Sequence, residues 1–364
     1  MRYLALIFLL LLLNTSCKKT IERIVEVEKK TAWSELKSLS LTERIQHNAI
    51  SLNDSVILFN NKNIVQSYNA NTLQKINAFV WGFGEDEISN KPSLDQKILV
   101  KALKNYIEFS PVSSPITERT SDAYSPAYAN DLNFIEFQKQ YIKFNQQFPV
   151  IRNKYVLAPF VSKKTTSEKN YANLFRLNMS TVSGYEAIKI DQTKEVELTS
   201  AIGPVINQGF YSANSYFDKF FLSIGDNTFR VDTAGNVKAF GAPMYSLTDM
   251  FRLGNFLFGV NPNGRFYVSS DAGENWNLFT NLENTIYGFI GFEQVGDEVF
   301  AFVRDQIWQV TLTGNTLDFI ELKNEGLERS VITSICRAGD KVFITTLFGV
   351  YYRKWSDFKE KKSV

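Results

Sequence analysis

The sequence predicts an all-β fold, a seven-bladed β-propeller that follows an N-terminal export signal and a tether. The chain of 364 residues contains 30 Phe and 16 Tyr but only 9 Pro, a composition typical of many short strands. A strand–turn–strand pattern recurs along it, and most intervals between second strands lie near the roughly 40–50 residues of a four-stranded blade. Gly and Asn fall between the apolar runs, where turns need positive φ.

The N-terminus predicts export and anchoring. Leu4–Leu13 is apolar but too short to span a bilayer, and Asn14-Thr15-Ser16 leads to Cys17. This stretch resembles the lipobox of bacterial lipoproteins, although Asn14 replaces the usual Leu. The resemblance implies that residues 1–16 are removed, that Cys17 is lipidated and that residues 17–31 form a tether. Because Lys18 follows the cysteine, it also implies the outer membrane. The alternative is an ordinary secretory signal with an incidental cysteine.

Seven similar units follow the tether, so we expect the propeller to occupy residues 32–358 and a charged tail to occupy 359–364. The units cover residues 55–79, 97–112, 155–190, 220–240, 256–280, 299–322 and 342–353. Two stretches depart from the repeat, an insertion at 113–150 and a long link at 191–215.

A ring of blades needs closure, since an open ring exposes strand edges. Residues 32–39 share a Trp and a Leu six places later with the outer strand at 276–282. We therefore expect the N-terminal segment to supply the outer strand of the last blade. The alternative takes that strand from residues 355–359 and makes 32–39 a short helix.

Ser269–Trp276 lies between two apolar runs and reads SSDAGENW. An Asp side chain can accept backbone N–H groups inside a turn, Gly supplies positive φ, and Ser can cap the same turn. With Ser269, Asp271, Gly273 and Trp276, the stretch resembles the Asp-box, or bacterial neuraminidase repeat. The resemblance implies a turn between the outer strands of a propeller blade, with Trp276 starting the next strand, and it implies no activity.

The residues offer little for catalysis, so we expect no enzyme, cofactor or metal site. There is a single His, and no Gly-rich phosphate loop lies between a strand and a helix. The Asp-box resemblance points to sialidases, which hold a carboxylate with three arginines. The arginines here are thinly spread, and the Arg-Ile-Pro setting of the first is absent. A divergent sialidase-like glycoside hydrolase remains an alternative.

Binding is the function that remains. The balance of 40 basic against 38 acidic residues does not favour nucleic acid. Loop aromatics supply contact area at low entropy cost, and Tyr124, Tyr128, Trp81 and Phe83 are the candidates. We expect a non-enzymatic module of the cell envelope that binds an outer-membrane protein complex. A glycan-binding surface lipoprotein is the alternative, because the same aromatics can stack on sugars.

Overall fold

The computed structural model describes residues 32–39, 48–60, 64–80, 93–95, 98–102, 107–111, 118–119, 150–162, 169–200, 203–204, 210–241, 244, 246–283 and 290–362. Within them the chain forms antiparallel strands and one short helix, and an all-β propeller is confirmed. Cys17, Trp81, Phe83, Tyr124 and Tyr128 lie outside the described residues.

The first strand, β1 (Ser34–Glu35), belongs to the last sheet of the chain. Sheet 1 contains β2 (Asn48–Asn53), β3 (Val56–Asn60), β4 (Ile64–Asn69) and β5 (Lys75–Val80). Sheet 2 contains β6 (Ser93–Asp95), β7 (Ile98–Ala102), β8 (Ile107–Pro111) and β9 (Glu118–Arg119). Sheet 3 contains β10 (Val150–Arg152), β11 (Tyr155–Ser162), β12 (Lys169–Val182) and β13 (Tyr185–Glu197). A two-stranded ribbon, β14 (Thr199–Ser200) and β15 (Gly203–Pro204), follows.

Sheet 4 contains β16 (Phe210–Tyr216), β17 (Lys219–Ile224), β18 (Asn227–Asp232) and β19 (Val237–Phe240). Sheet 5 contains β20 (Asp249–Leu253), β21 (Phe256–Val260), β22 (Arg265–Ser269) and β23 (Asn277–Glu283). Sheet 6 contains β24 (Gly291–Val295), β25 (Glu298–Val303), β26 (Gln306–Thr313) and β27 (Thr316–Glu321). Sheet 7 contains β28 (Ile332–Ala338), β29 (Lys341–Thr346) and β30 (Val350–Lys354), with β1 outermost, and α1 (Trp355–Phe358) follows.

The described residues hold seven four-stranded sheets and a two-stranded ribbon. The first strands of neighbouring sheets contact one another in the order 2, 3, 4, 5, 6, 7 and 1. These contacts place the first strands innermost. The turns between first and second strands and those between third and fourth strands lie at one end of the sheets. We call this end the lower face. The upper face carries the turns between second and third strands and the connections between sheets.

Apolar side chains fill the spaces between neighbouring sheets. Between sheets 5 and 6 the rings of Phe251 and Phe292 stack with centroids 4.5 Å apart, and Phe258 and Phe266 are fully buried beside them. Such aromatic pairs stabilise beyond the area that they bury. Cys336 is buried in the cluster between sheets 7 and 1, as a small apolar residue would be. The high Phe content is thus explained by packing between sheets.

The N-terminal segment supplies the outer strand of sheet 7, as expected. Ser34 lies opposite Tyr352 and Glu35 opposite Tyr351, and Leu36 N–H donates to the Val350 carbonyl over 2.8 Å. The alternative is wrong, because residues 355–358 form α1 rather than a strand. Since β1 runs antiparallel to β30, it runs from the lower toward the upper end of sheet 7.

Three boundaries differ from the sequence predictions. The link expected at 191–215 is largely strand, because β13 continues to Glu197 and β16 begins at Phe210. The insertion expected at 113–150 begins later, since β9 pairs with β8 and Val150 already belongs to β10. The described part of the expected tail lies against sheet 6: Lys361 pairs with Leu322, and Lys362 N–H donates to the Glu321 carbonyl over 3.0 Å.

Candidate interaction surface

The predicted aromatic site residues lie on two connections of the same kind. Trp81 and Phe83 follow β5, the outermost strand of sheet 1, and precede β6, the first strand of sheet 2. Tyr124 and Tyr128 stand between β9 and β10, which have the same places in sheets 2 and 3. Because strands alternate in direction, both connections begin and end on the upper face. The structure thus assigns their ends to one face, and their side chains lie outside the described residues.

A shorter connection on the upper face, between sheets 4 and 5, is held down by buried polar side chains. Ser212 Oγ donates to the Leu247 carbonyl over 2.6 Å, and Leu247 N–H donates to Ser223 Oγ over 3.0 Å. Thr248 Oγ1 donates to the Val260 carbonyl over 3.1 Å. Buried polar groups need such partners, so these hydroxyl groups serve the frame.

Asp249, at the upper end of β20, also serves the frame. Its carboxylate accepts Met250 N–H over 2.8 Å and, across to sheet 6, Phe292 N–H over 2.9 Å. Burial and the nearby carboxylates of Asp249 and Glu293 raise the pKa of Tyr216, which remains protonated and donates to the Met250 carbonyl over 2.7 Å. An ionised phenol for nucleophilic chemistry is therefore disfavoured here.

Phe348 is a surface aromatic that the sequence alone does not identify as a candidate binding residue. It lies on the upper face between β29 and β30 and is 58% exposed. Thr346 Oγ1 accepts the N–H groups of Phe348 and Gly349 over 3.0 and 2.9 Å, which fixes the turn. A large apolar residue next to Gly in a capped turn was the available sequence signal.

The turn from Ser269 to Trp276 has the mechanics expected from its residues. Gly273 N–H donates to Ser269 Oγ over 2.8 Å, and Asn275 N–H donates to Asp271 Oδ1 over 2.8 Å. Gly273 has a φ of 79°. The backbone hydrogen bond from Asn275 is the main cause that lowers the pKa of Asp271 to about 2. Trp276 precedes β23 rather than starting it, and its ring meets Phe221 edge-on at 6.2 Å.

The same turn joins sheet 5 to sheet 4 through Glu274. Its carboxylate forms ion pairs with Arg230 and, over 2.6 Å, with Lys219, while Lys219 also donates to the Ala272 carbonyl over 3.3 Å. The hydrogen bond from Arg230, followed by that from Lys219, lowers the pKa of Glu274 to about 2. The turn is thus a structural clasp between sheets.

A second turn with similar geometry joins β18 to β19 in sheet 4. Asp232 Oδ1 accepts the N–H groups of Ala234 and Asn236 over 3.0 and 2.8 Å, and Gly235 has a φ of 81°. Burial opposes ionisation of Asp232, but the hydrogen bond from the Asn236 side chain, followed by these two backbone contacts, lowers its pKa. Asp and Asn four residues apart occur in both turns, a signal that the sequence analysis missed because the Ser and Trp are absent here.

Most described arginines serve the frame. Arg152 pairs with Asp218, Arg252 with Asp297, and the buried Arg353 with Glu325, at 3.6, 3.9 and 3.7 Å. The first two pairs join neighbouring sheets at the lower face. Among the described residues, no cluster of three or more His, Cys, Asp or Glu could hold a metal ion. The described residues also contain no helix that is long and apolar enough to cross a membrane.

No protein-family model and no curated protein matches the sequence, whereas many solved structures resemble the fold. One is PorZ, described as an essential bacterial surface component of the type-IX secretion system of Porphyromonas gingivalis, with a TM-score of 0.52 and 10% identity over 91% of this chain. This chain spans only 39% of that protein. The extracellular domain of a putative hybrid two-component system of B. thetaiotaomicron gives 0.55 at 9% identity, covering 88% of this chain and 39% of that one.

Virginiamycin B lyase from Staphylococcus aureus gives a TM-score of 0.55 at 10% identity, covering 88% of this chain and 97% of that enzyme. WD40 repeats of RRP9 are as similar, with 0.54 at 8% identity over 89% of this chain and 97% of that one. Surface proteins, an enzyme and WD40 proteins thus share this fold. The similarity establishes the β-propeller fold, and the function has to be inferred from the residues.

Proposed function

We propose that this chain is a non-enzymatic, lipid-anchored binding module of the bacterial cell envelope, an accessory subunit or scaffold of an outer-membrane protein complex. The observation that carries the proposal is that the connections with the candidate aromatics and the start of β1 lie toward opposite ends of the sheets. The connections that hold Trp81, Phe83, Tyr124 and Tyr128 begin and end on the upper face, whereas β1 starts toward the lower end of sheet 7. A module tethered near this end would present its upper face, with the ends of both connections, away from the membrane.

The anchor in this proposal is a diacylated Cys17. Two acyl chains are sufficient for stable attachment, and the thirteen residues from Lys18 to Lys30 reach on the order of 45 Å when extended. Such a tether would hold the propeller clear of the membrane and leave its upper face accessible to a partner. PorZ, a bacterial surface component of a secretion system, is a precedent for a propeller of this shape at a bacterial surface.

The frame in this proposal is a closed seven-bladed ring whose Ser269–Trp276 turn is a diverged Asp-box. The seven four-stranded sheets and the N-terminal outer strand support the ring. The Ser269, Asp271 and Gly273 contacts support the Asp-box. An experimental map with six blades, or with an open gap between sheets 1 and 2, would contradict the ring.

Affinity purification from detergent-solubilised membranes tests the function. The tagged, lipidated protein should retain one membrane protein in stoichiometric amount. Recovery of no partner, together with specific binding to a glycan array, would instead favour a glycan-binding lipoprotein. Release of free sugar from a glycan that binds would identify a glycoside hydrolase and refute the non-enzymatic proposal.

A further inference from the structure

Two arginines on the upper face have no carboxylate partner among the described residues, unlike Arg152, Arg230 and Arg252. Arg304, in the turn between β25 and β26, and Arg329, on the connection between sheets 6 and 7, are both exposed. Within the described part of the chain neither side chain makes an ion pair, whereas Arg152, Arg252 and Arg353 each do. Their guanidinium groups are therefore available to a ligand.

These arginines are neighbours of the exposed Phe348. Ile332 N–H donates to the Arg304 carbonyl over 2.8 Å, and Leu347 N–H donates to the Val331 carbonyl over 3.1 Å. These backbone hydrogen bonds connect three loop segments at the junction of sheets 6 and 7. We call Arg304, Arg329 and Phe348 the upper junction patch.

The backbone at the patch is held in an uncommon conformation. Arg304 and Arg329 have φ values of 53° and 66°, a region that side chains other than Gly enter rarely. Arg329 N–H donates to Asp305 Oδ2 over 3.4 Å, and Asn324 Nδ2 donates to the Asp305 carbonyl over 2.9 Å. These contacts fix the backbone beneath both side chains, so less entropy is lost when a partner binds.

The acidic residues nearby are occupied by backbone groups. Besides the contact of Asp305, both oxygens of Glu328 accept Gly326 N–H, over 3.0 and 2.9 Å. These carboxylates weaken the positive potential of the patch but do not pair with either guanidinium. A guanidinium group matches a carboxylate in geometry and charge, and an exposed aromatic ring takes an apolar side chain.

We propose that the upper junction patch binds an acidic segment of a partner protein, in which carboxylate side chains alternate with apolar ones. Carboxylates of that segment pair with Arg304 and Arg329, and an apolar side chain packs on Phe348. The inference rests on the proposed binding function and names the chemistry of the partner. It places a contact on the same face as the connections that hold Trp81 and Tyr124.

A synthetic peptide of alternating Glu and Leu residues, labelled with a fluorophore, provides the test. Fluorescence anisotropy with the full-length protein should show binding that weakens as salt is raised, and a peptide with Gln in place of Glu should bind at least about tenfold more weakly. The double variant Arg304→Gln/Arg329→Gln should lose this preference. Phe348→Ser should weaken binding of both peptides.

The matched control is Arg152→Gln/Arg252→Gln, which makes the same change of net charge at the lower face. It should bind the acidic peptide as the wild type does, and circular dichroism should show every variant folded. Equal binding of the two peptides, or equal loss in patch and control variants, would overturn the proposal. Patch-dependent binding to vesicles of anionic lipid without a preference for the acidic peptide would overturn it in favour of a lipid ligand.

The peptide result is independent of the affinity purification. If the wild type retains a membrane protein and the patch variant retains it equally well, the patch is wrong and the proposed function stands. If the wild type retains no membrane protein, the proposed function fails whatever the peptide shows.

Discussion

Replacing Trp33 by Ala should destabilise the propeller by opening its closure. Trp33 is 6% exposed, its ring meets Phe358 edge-on at 5.7 Å, and the guanidinium of Arg353 lies 5.3 Å from its centre. Gly326 packs so closely that an added Cβ would lie 3.1 Å from the Trp33 carbonyl oxygen. Trp33 is therefore the main apolar anchor of β1.

The size of the effect follows from what the substitution removes. A buried Trp covers roughly 200 Å², which at about 25 cal/mol per Å² corresponds to about 5 kcal/mol. Measured losses for Phe or Trp to Ala are about 3–5 kcal/mol. Loss of the contact with the Arg353 guanidinium adds about 1 kcal/mol to the loss of stability. We expect a total loss of about 3–5 kcal/mol, because β1 can detach and relieve part of the cost.

Guanidinium denaturation followed by circular dichroism measures the loss, and hydrogen exchange locates it. Amides of β30 should exchange faster in Trp33→Ala, because β30 loses its outer neighbour. Trp276→Ala is the matched control: Trp276 stands at the corresponding place in sheet 5 but is half-buried, and the chain on both sides of it is held. A loss below about 1 kcal/mol, or unchanged exchange in β30, would refute the closure argument.

Gly273→Ala should lower the thermal unfolding midpoint, since φ is 79° and the new Cβ would lie 2.4 Å from the ring of Phe221; a midpoint equal to that of the wild type would contradict the clasp. The folded-state pKa of Glu274 is lowered to about 2, so its ion pairs stabilise above the unfolded pKa and that stability is lost as pH falls toward 2. Between about pH 5 and 2 the midpoint should fall more steeply in the wild type than in Glu274→Gln, and parallel curves would refute this. Cys17→Ser should move the protein out of the membrane fraction; unchanged retention would refute lipidation. Replacing residues 120–130, which leaves β9 intact, by a Gly-Ser linker should leave the midpoint nearly unchanged and abolish co-purification of the partner, and full recovery of the partner would place the site elsewhere.

The repeat and the closure could be predicted from sequence because both depend on local patterns. Alternating apolar residues set the strands, and the shared Trp of residues 33 and 276 identified equivalent outer strands. The sequence predicted the hairpin of sheet 3 within the unit 155–190 but not the extension of β13 to Glu197. Asp191 is the unpaired residue opposite the bulge between Arg176 and Leu177. Beyond it β13 carries exposed polar residues such as Gln192 and Thr193, whose pairing with β12 is set by the partner strand.

The sequence identified aromatic residues that could bind a partner. It could not distinguish the charged surface residues that form ion pairs between sheets from those that remain available to a ligand. Arg230, Arg252 and Arg304 are indistinguishable as residues in or beside strands. Only the fold reveals that Glu274 neutralises the first and Asp297 the second, while Arg304 faces outward at the junction of two sheets. Pairing between sheets joins residues tens of positions apart, and no local pattern encodes it. A candidate binding residue in a propeller is therefore best recognised by subtraction, as an exposed charged side chain that the inter-sheet ion pairs leave without a partner.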